Sequence, residues 1–186
     1  MKPGSSAWDD KTAGRRSPGG RNASKFRRGR FINYCAMSGV LNTGARPSIN
    51  MLSAVSAQGK LRFMVHDGQV DSTVFIEFCK RLLRDTDTPA YLIVDGHPCH
   101  RSRVTKQFVS STDGRLKLIL LPDYSPELNP DEWVWKNAKH DRIGKTGVTS
   151  KDDLKAKATN ALRRLQKLPH LVQGFFRDPN LAYITA

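Results

Sequence analysis

Two nearly continuous apolar runs constrain the fold of this chain more than any other feature. Residues 90–95 read AYLIVD and residues 116–121 read LKLILL. Runs of this kind are typical of strands that are buried on both faces in a parallel sheet. A short helix is predicted between them at 101–110, and alternating strands and helices favour parallel strands with right-handed crossovers. The sequence therefore predicts an α/β fold with both runs in its core.

The segments around these runs supply further elements. Two short runs, INMLSAVSA and LRFMVH, are joined by a turn that contains Gly59, which predicts a β-hairpin. Asp71 or Ser72 can cap a helix whose apolar residues recur every three or four positions and which ends before Pro89. A later amphipathic helix opens at Ser150 with an Asp variant of the capping box.

Charge points to the class of partner. The formal net charge is +14 and the pI is near 10.1, which indicates a polyanionic partner and most often nucleic acid. The first 50 residues carry ten Lys or Arg against two Asp. Residues 1–42 are rich in Gly, Ser, Arg and Lys, so we expect a basic N-terminal segment that is disordered or peripheral, in which only Phe31 to Leu41 could form a strand. That segment either contacts phosphate or is a solvated tail.

Several classes of protein are disfavoured by the sequence. No apolar run approaches the roughly eighteen residues of a membrane span, so no membrane partner is expected. The N-terminus lacks the apolar region of a secretory signal. Three cysteines at unrelated spacings, with no CxxC, indicate neither a disulfide framework nor a zinc site. We therefore expect a cytoplasmic location.

Two carboxylates stand out by position. Asp95 ends a predicted strand, and Glu132 lies in the first turn of the helix that follows the next strand. If the two strands are neighbours, both side chains face one crevice at the carboxyl edge of the sheet. Paired carboxylates repel each other unless a divalent cation lies between them, so Mg²⁺ or Mn²⁺ is the expected ion. The alternative is structural: Glu132 stabilises a helix dipole and Asp95 caps a loop.

Residues near the acidic pair allow other interpretations. His97 and His100 in DGHPCH are weak candidates for metal ligands, and a hydrogen bond from a His to a neighbouring carboxylate is favoured. A small hydrolase using Asp95, His97 and His100 is a third hypothesis, which explains neither the charge nor the proline-rich stretch. Trp133 and Trp135 are two apart and cannot share a helix face. At least one is expected in the core, and the other is free to stack on a base.

The segments around both carboxylates resemble a known family. AYLIVDGHPCHRSRVTKQFV and LKLILLPDYSPELNPDEWVWKNAKH are similar to the second and third catalytic blocks of bacterial insertion-sequence transposases of the mariner superfamily. Residues 43–83 resemble the central hairpin and following helix of that family. The resemblance runs from residue 43 to the C-terminus, and the Tyr-Ser-Pro-Glu-Leu-Asn-Pro block is its most specific part.

The resemblance implies a ribonuclease-H-like mixed sheet flanked by helices. It implies that Asp95 and Glu132 are the second and third catalytic, metal-binding acids of a DDE-type transposase, which cleaves and transfers DNA strands with Mg²⁺ or Mn²⁺. The family's first catalytic Asp lies on its first strand, whereas this sequence has no acidic residue between Lys11 and Gln58. Asp9 and Asp10 are the only carboxylates upstream, in a context without an apolar strand.

We therefore expect two segments: a basic, non-family segment at 1–42 and a partial catalytic domain at 43–186, with the first strand missing or replaced and no helix-turn-helix region. The expected partner is double-stranded DNA, both transposon ends and target, in the bacterial nucleoid. A homodimer or a partner polypeptide could supply the N-terminal half. Two hypotheses stay open: a transposase catalytic domain, incomplete without its first Asp, and an inactive DNA-binding remnant.

Overall fold

The computed structural model describes residues 32–42, 48–84, 86–122, 125–142, 147–181 and 184, with backbone alone for 32–42 and 140–142. Its strands are β1 Ile32–Asn42, β2 Ser48–Ser56, β3 Leu61–His66, β4 Ala90–Val94 and β5 Leu116–Leu120. Its α-helices are α1 Ser72–Arg84, α2 Pro98–Arg101, α3 Arg103–Ser110, α4 Asp131–Lys136, α5 Lys151–Gln166 and α6 Pro169–Gly174.

The five strands form one mixed sheet in the order β3-β2-β1-β4-β5. Strand β1 is the middle strand, antiparallel to β2 and parallel to β4. Its residue Cys35 is paired with Val55 on one side and with Ile93 on the other. Strand β5 continues the parallel half beyond β4. This mixed sheet with flanking helices confirms the expected fold class.

The strand β1 lies inside the segment that we expected to stand apart from the domain. It pairs with β2 along Tyr34 to Asn42 and with β4 along Ile32 to Ala36. The strand thus nearly coincides with residues 31–41, where the sequence allowed one, and it is the middle strand of the sheet. Residues 1–31, with Asp9 and Asp10, lie outside the described residues, and the expected boundary at residue 42 stays a prediction.

The predicted hairpin is the β2–β3 pair. Its strands run antiparallel, and Gly59 in the turn has a φ of +83°, which favours glycine. A Cβ atom at this position would also lie 2.6 Å from the carbonyl oxygen of Pro169. Gly59 therefore satisfies both the turn and the close approach of helix α6.

Side chains of the sheet alternate between two cores. On one face, Ile49, Met51 and Val55 of β2 pack with apolar residues of α4, α5 and α6. On the other face, Leu52 and Ala54 pack with apolar residues of α1 and with part of α3. Because side chains along a strand point alternately to opposite faces, β2 is buried on both sides. The sheet is therefore enclosed between two helical layers.

The ends of two helices match their predicted caps. The Asp71 carboxylate accepts a hydrogen bond from the Val74 amide at 2.9 Å, so Asp71 caps α1. The Ser150 hydroxyl accepts from the Asp153 amide at 3.1 Å and caps α5. The capping box differs from the prediction, because the Asp153 carboxylate accepts from the Thr149 amide and not from that of Ser150.

The expectation that 116–121 is a buried strand is wrong for part of its length. Leu116 and Leu121 are buried, but Ile119 and Leu120 are among the exposed large apolar residues. The reason is position: β5 is an edge strand, and the main strand contacts of α4 and α5 are with β1, β2 and β3 at the other side of the sheet. A continuous apolar run does not distinguish an edge strand from a central one. Among the described residues, no helix is long and apolar enough to cross a membrane.

Candidate active site

Asp95 follows directly after β4, at the carboxyl end of that strand. Its Oδ1 atom accepts hydrogen bonds from the His97 amide at 3.0 Å and from His100 Nδ1 at 2.9 Å. His97 in turn caps the short helix α2, because its Nδ1 atom accepts from the Cys99 amide at 3.3 Å. The Asp-Gly-His-Pro turn thus fixes the carboxylate while leaving its side chain partly exposed.

The His100 ring lies beneath Asp95 and is almost fully buried, with 1% of its side chain exposed. Its centroid lies 4.4 Å from that of Phe75 in α1. Within the part of the chain that the structure describes, its Nε2 atom has no hydrogen-bond partner. The ring therefore contacts Asp95 through Nδ1 and packs against the rings of Phe75 and His97.

The Asp95 and His100 pair shifts both pKa values. Burial raises the pKa of Asp95, but the hydrogen bonds from His100 and from the His97 amide outweigh burial and hold the pKa below its usual range. Burial lowers the pKa of His100, but the hydrogen bonds to Asp95 together with the contact to Cys99 outweigh burial and raise the pKa to about 9. Asp95 is therefore an anion at neutral pH, with an oriented imidazolium behind it.

Glu132 lies in the first turn of α4 and is partly buried. Burial raises its pKa, and the negative charge of Asp95 raises it further. This coupling means that α4 and β4 bring the two predicted acids into electrostatic contact. The helix begins at Asp131 after Pro130, and the Asp131 amide donates to Asn129 Oδ1 at 3.1 Å, which closes a turn just before the helix.

The residue that sequence reasoning missed is Asp131. It is completely buried, and its Oδ2 atom accepts a hydrogen bond from the Ser53 hydroxyl of β2 at 2.6 Å. A signal was present in the sequence, because Asp131 shares a helix face with the apolar residues Val134, Trp135 and Ala138. Asp131 attaches the first turn of α4 to the sheet and so fixes the adjacent Glu132.

Strand β1 passes beside Asp95 without adding an acid. Ala36 of β1 pairs with Val94, so Met37 is the next residue along β1 and Asp95 the next after β4. None of the residues of β1, INYCAMSGVLN, is Asp or Glu. The described residues contain no group of three or more His, Cys, Asp or Glu that could hold a metal ion. The structure thus brings together two of the three carboxylates that the resemblance implies.

The histidines and tryptophans near the site lie as the sequence favoured, with a His on a carboxylate and one Trp in the core. His97 Nδ1 and Cys99 Sγ lie 3.0 Å apart. His100 contacts Asp95, which is the hydrogen bond that the sequence favoured, and the hydrolase hypothesis stays a prediction. Trp135 is buried, with 7% exposure, whereas Trp133 remains 40% exposed. One tryptophan is a core residue and the other faces a surface groove.

Known proteins share this sequence pattern and fold. The sequence profile described as DDE superfamily endonuclease matches residues 26–155. The solved catalytic domain of Mos1 mariner transposase aligns with a TM-score of 0.59 at 11% identity, over 81% of each chain. Structures of the Mos1 catalytic domain with raltegravir and Mn, or with raltegravir and Mg, each give a TM-score of 0.56 at 11% identity. They cover 83% of this chain, and 83% and 84% of theirs.

At identities this low, the solved structures establish similarity of fold. No curated protein matches the sequence. The profile, in contrast, covers more than half of the chain and includes β1, both predicted acids and the start of α5.

Proposed function

This chain belongs to the DDE superfamily endonuclease family, and from that premise we propose that it is a mariner-type transposase catalytic domain acting by metal-dependent cleavage and transfer of DNA strands at insertion-sequence ends. One observation carries the proposal: Asp95 follows β4 at the carboxyl edge of the sheet, and α4, which packs on β1 and β2, holds Glu132 in its first turn, where burial and the negative charge of Asp95 raise its pKa. Two acids on different elements are held close enough to repel each other. Such an arrangement is typical of functional sites.

The donor set suits a hard divalent cation. Asp95 and Glu132 offer carboxylate oxygens, and a cation between them would relieve the repulsion that raises the pKa of Glu132. The fit is partial, because β1 adds no third carboxylate. When bound, Mg²⁺ or Mn²⁺ would activate the attacking oxygen and stabilise the leaving oxygen in phosphoryl transfer. The Mos1 domain solved with Mn and with Mg supports this choice of ion.

The residues around the acids have defined tasks in this proposal. His100 donates to Asp95 and keeps that carboxylate ionised and oriented. Asp131 anchors the first turn of α4 to Ser53, which fixes the position of Glu132. The net charge of +14 supports double-stranded DNA as the partner, since basic surfaces bind phosphates by releasing counterions.

A second candidate function is a DNA-binding remnant without catalysis, and the absence of an acid from β1 favours it. A site with two carboxylates holds a divalent cation loosely and positions a second ion poorly. A second copy of the chain or a partner polypeptide could supply the missing carboxylate. We therefore expect nicking by this chain alone to be slow, and strand transfer to be weak or absent.

The test is nicking of supercoiled plasmid DNA by the full chain with Mg²⁺, with Mn²⁺ and with EDTA. We expect nicking that requires a divalent ion and falls about 100-fold or more in Asp95→Ala and in Glu132→Ala. Asp152→Ala is the matched control, because Asp152 is an exposed acid in the first turn of α5. DNA binding without any metal-dependent nicking would identify the remnant instead. Nicking that survives both substitutions would refute the proposed site.

A further inference from the structure

A groove of about 830 Å³ opens on the outer side of α4. Residues of α4, α6 and the segment after α6 line it, among them Trp133, Lys136, Leu171, Phe175 and Arg177. Its volume lies within the roughly 300–1,000 Å³ of pockets that hold small ligands. Trp133 follows Glu132 in the chain, so the groove and this candidate acid belong to the same short helix.

The apolar surface of the groove is aromatic. The Trp133 and Phe175 rings are nearly parallel, with 17° between their planes and 6.5 Å between their centroids. This separation is near the outer end of the roughly 4.5–7 Å range of aromatic pairs. Trp133 is 40% exposed and Leu171 is 38% exposed, and both are among the exposed large apolar residues. The exposed part of the indole, outside its contact with Phe175, is therefore the part available to a planar ligand.

Cations lie beside this aromatic surface. Lys136 Nζ is 4.5 Å from the centroid of the Trp133 ring. Arg177 also lines the groove. Asp178 is the acid among the described lining residues, and its Oδ1 atom already accepts a hydrogen bond from the Asn180 amide at 3.0 Å. An aromatic face flanked by two cations is complementary to a planar ring that carries a phosphate.

We propose that this groove binds an unpaired nucleobase of the DNA strand at the cleaved end. The base stacks on Trp133 while its phosphates contact Lys136 and Arg177. A base in an intact duplex cannot offer its face to the indole, so the occupant is single-stranded. The proposal rests on the proposed function for the identity of the DNA, and on the groove itself for base stacking.

The test compares binding of a short fluorescein-labelled oligothymidylate with binding of a blunt duplex, by anisotropy at several salt concentrations. Trp133→Ala should weaken single-strand binding about 5- to 150-fold. Its salt dependence should be unchanged, because stacking releases no counterion. Arg177→Ala should weaken binding and reduce the slope of log K against log salt by about 0.7, as expected for one lost phosphate contact. Duplex binding should change little in either variant.

Val104→Ala is the matched control, since Val104 is an exposed apolar residue on α3. Trp133→Phe should restore part of the affinity, which separates stacking from misfolding. Equal losses for single strand and duplex, or no loss in Trp133→Ala, would overturn the inference. Binding of a proline-rich peptide that requires Trp133, together with no binding of the oligonucleotide, would also overturn the inference.

The outcome is separable from that of the nicking assay. Asp95→Ala and Glu132→Ala should keep Trp133-dependent binding of the single strand while they lose nicking. If wild type fails to nick but binds the single strand through Trp133, the proposed function fails and the groove assignment stands. If it nicks while Trp133→Ala binds normally, the groove assignment alone fails.

Discussion

The inner and outer faces of helix α4 differ in what they contact. On the inner face, Asp131 and Trp135 are buried against the sheet and its core. On the outer face, Glu132 is coupled to Asp95 and Trp133 lines an open groove. Residues one position apart thus serve the fold and the candidate site separately. Neighbouring substitutions in α4 can therefore test stability and function separately.

The largest effect is expected at the paired tryptophans. Trp135→Ala should lower the free energy of unfolding by about 3–5 kcal/mol, because it leaves a cavity in the core. Trp133→Ala should lower it by less than about 1 kcal/mol, since this ring is 40% exposed. Urea unfolding followed by circular dichroism measures both. Equal losses of unfolding free energy in the two variants would show that the two faces of α4 do not differ in their contribution to stability.

A smaller effect is expected at the contact between α4 and β2. Ser53→Ala removes the hydroxyl that donates to the buried Asp131 carboxylate at 2.6 Å and should cost about 1–3 kcal/mol. Ser56→Ala is the matched control: Ser56 is equally buried in β2, but its hydroxyl accepts a longer 3.3 Å bond from the Lys60 amide. Chemical unfolding of both variants measures the difference. A larger loss of unfolding free energy in Ser56→Ala than in Ser53→Ala would contradict an anchoring role for Asp131.

The smallest effect is expected at Glu132 and depends on pH. Its pKa is raised in the folded state, so its stabilising contribution is present below the ordinary pKa of the unfolded chain and is lost as pH rises through the folded pKa. In EDTA at pH 7, Glu132→Gln should therefore be slightly more stable than wild type, and the difference should vanish below about pH 4. Thermal unfolding at both pH values measures it.

Added Mg²⁺ sharpens the same test, because it should raise the melting temperature of wild type and leave that of Glu132→Gln nearly unchanged. A variant that is less stable than wild type at pH 7 in EDTA would indicate that Glu132 serves the fold after all.

Local patterns predicted the elements that local forces determine. The three- and four-residue periodicity predicted α1, and the cap at Ser150 predicted α5. The helix expected at 101–110 is α3, which begins at Arg103; a break at Ser102 separates it from the short helix α2, because the Ser102 hydroxyl accepts from the Thr105 amide at 3.1 Å. Such a break depends on one hydrogen bond, which apolar periodicity does not record.

Local sequence patterns did not predict the contacts between segments that are distant in the chain. The exposure of Ile119 follows from the place of β5 in the strand order, and that order is set by pairing between distant segments. The positions of Asp95 and Glu132 were foreseen from the strand-end rule and from the family resemblance, and their catalytic roles stay predictions. The Ser53 contact of Asp131 required the register between β2 and α4, which periodicity alone does not give.

The strand order has a consequence for synthesis of the chain. The β2–β3 hairpin closes locally through the turn at Gly59. The pairing of β1 with β4, which places Cys35 beside Ile93, can form only after the distant β4 segment is present. Closing longer loops costs more entropy, so we expect the hairpin to form early and the β1–β4 pairing late. On the ribosome, β1 emerges first, and one edge of it stays unpaired until β4 has been made. During that interval the nascent chain exposes a strand edge to other chains, and crowded synthesis at high expression should favour aggregation at this step.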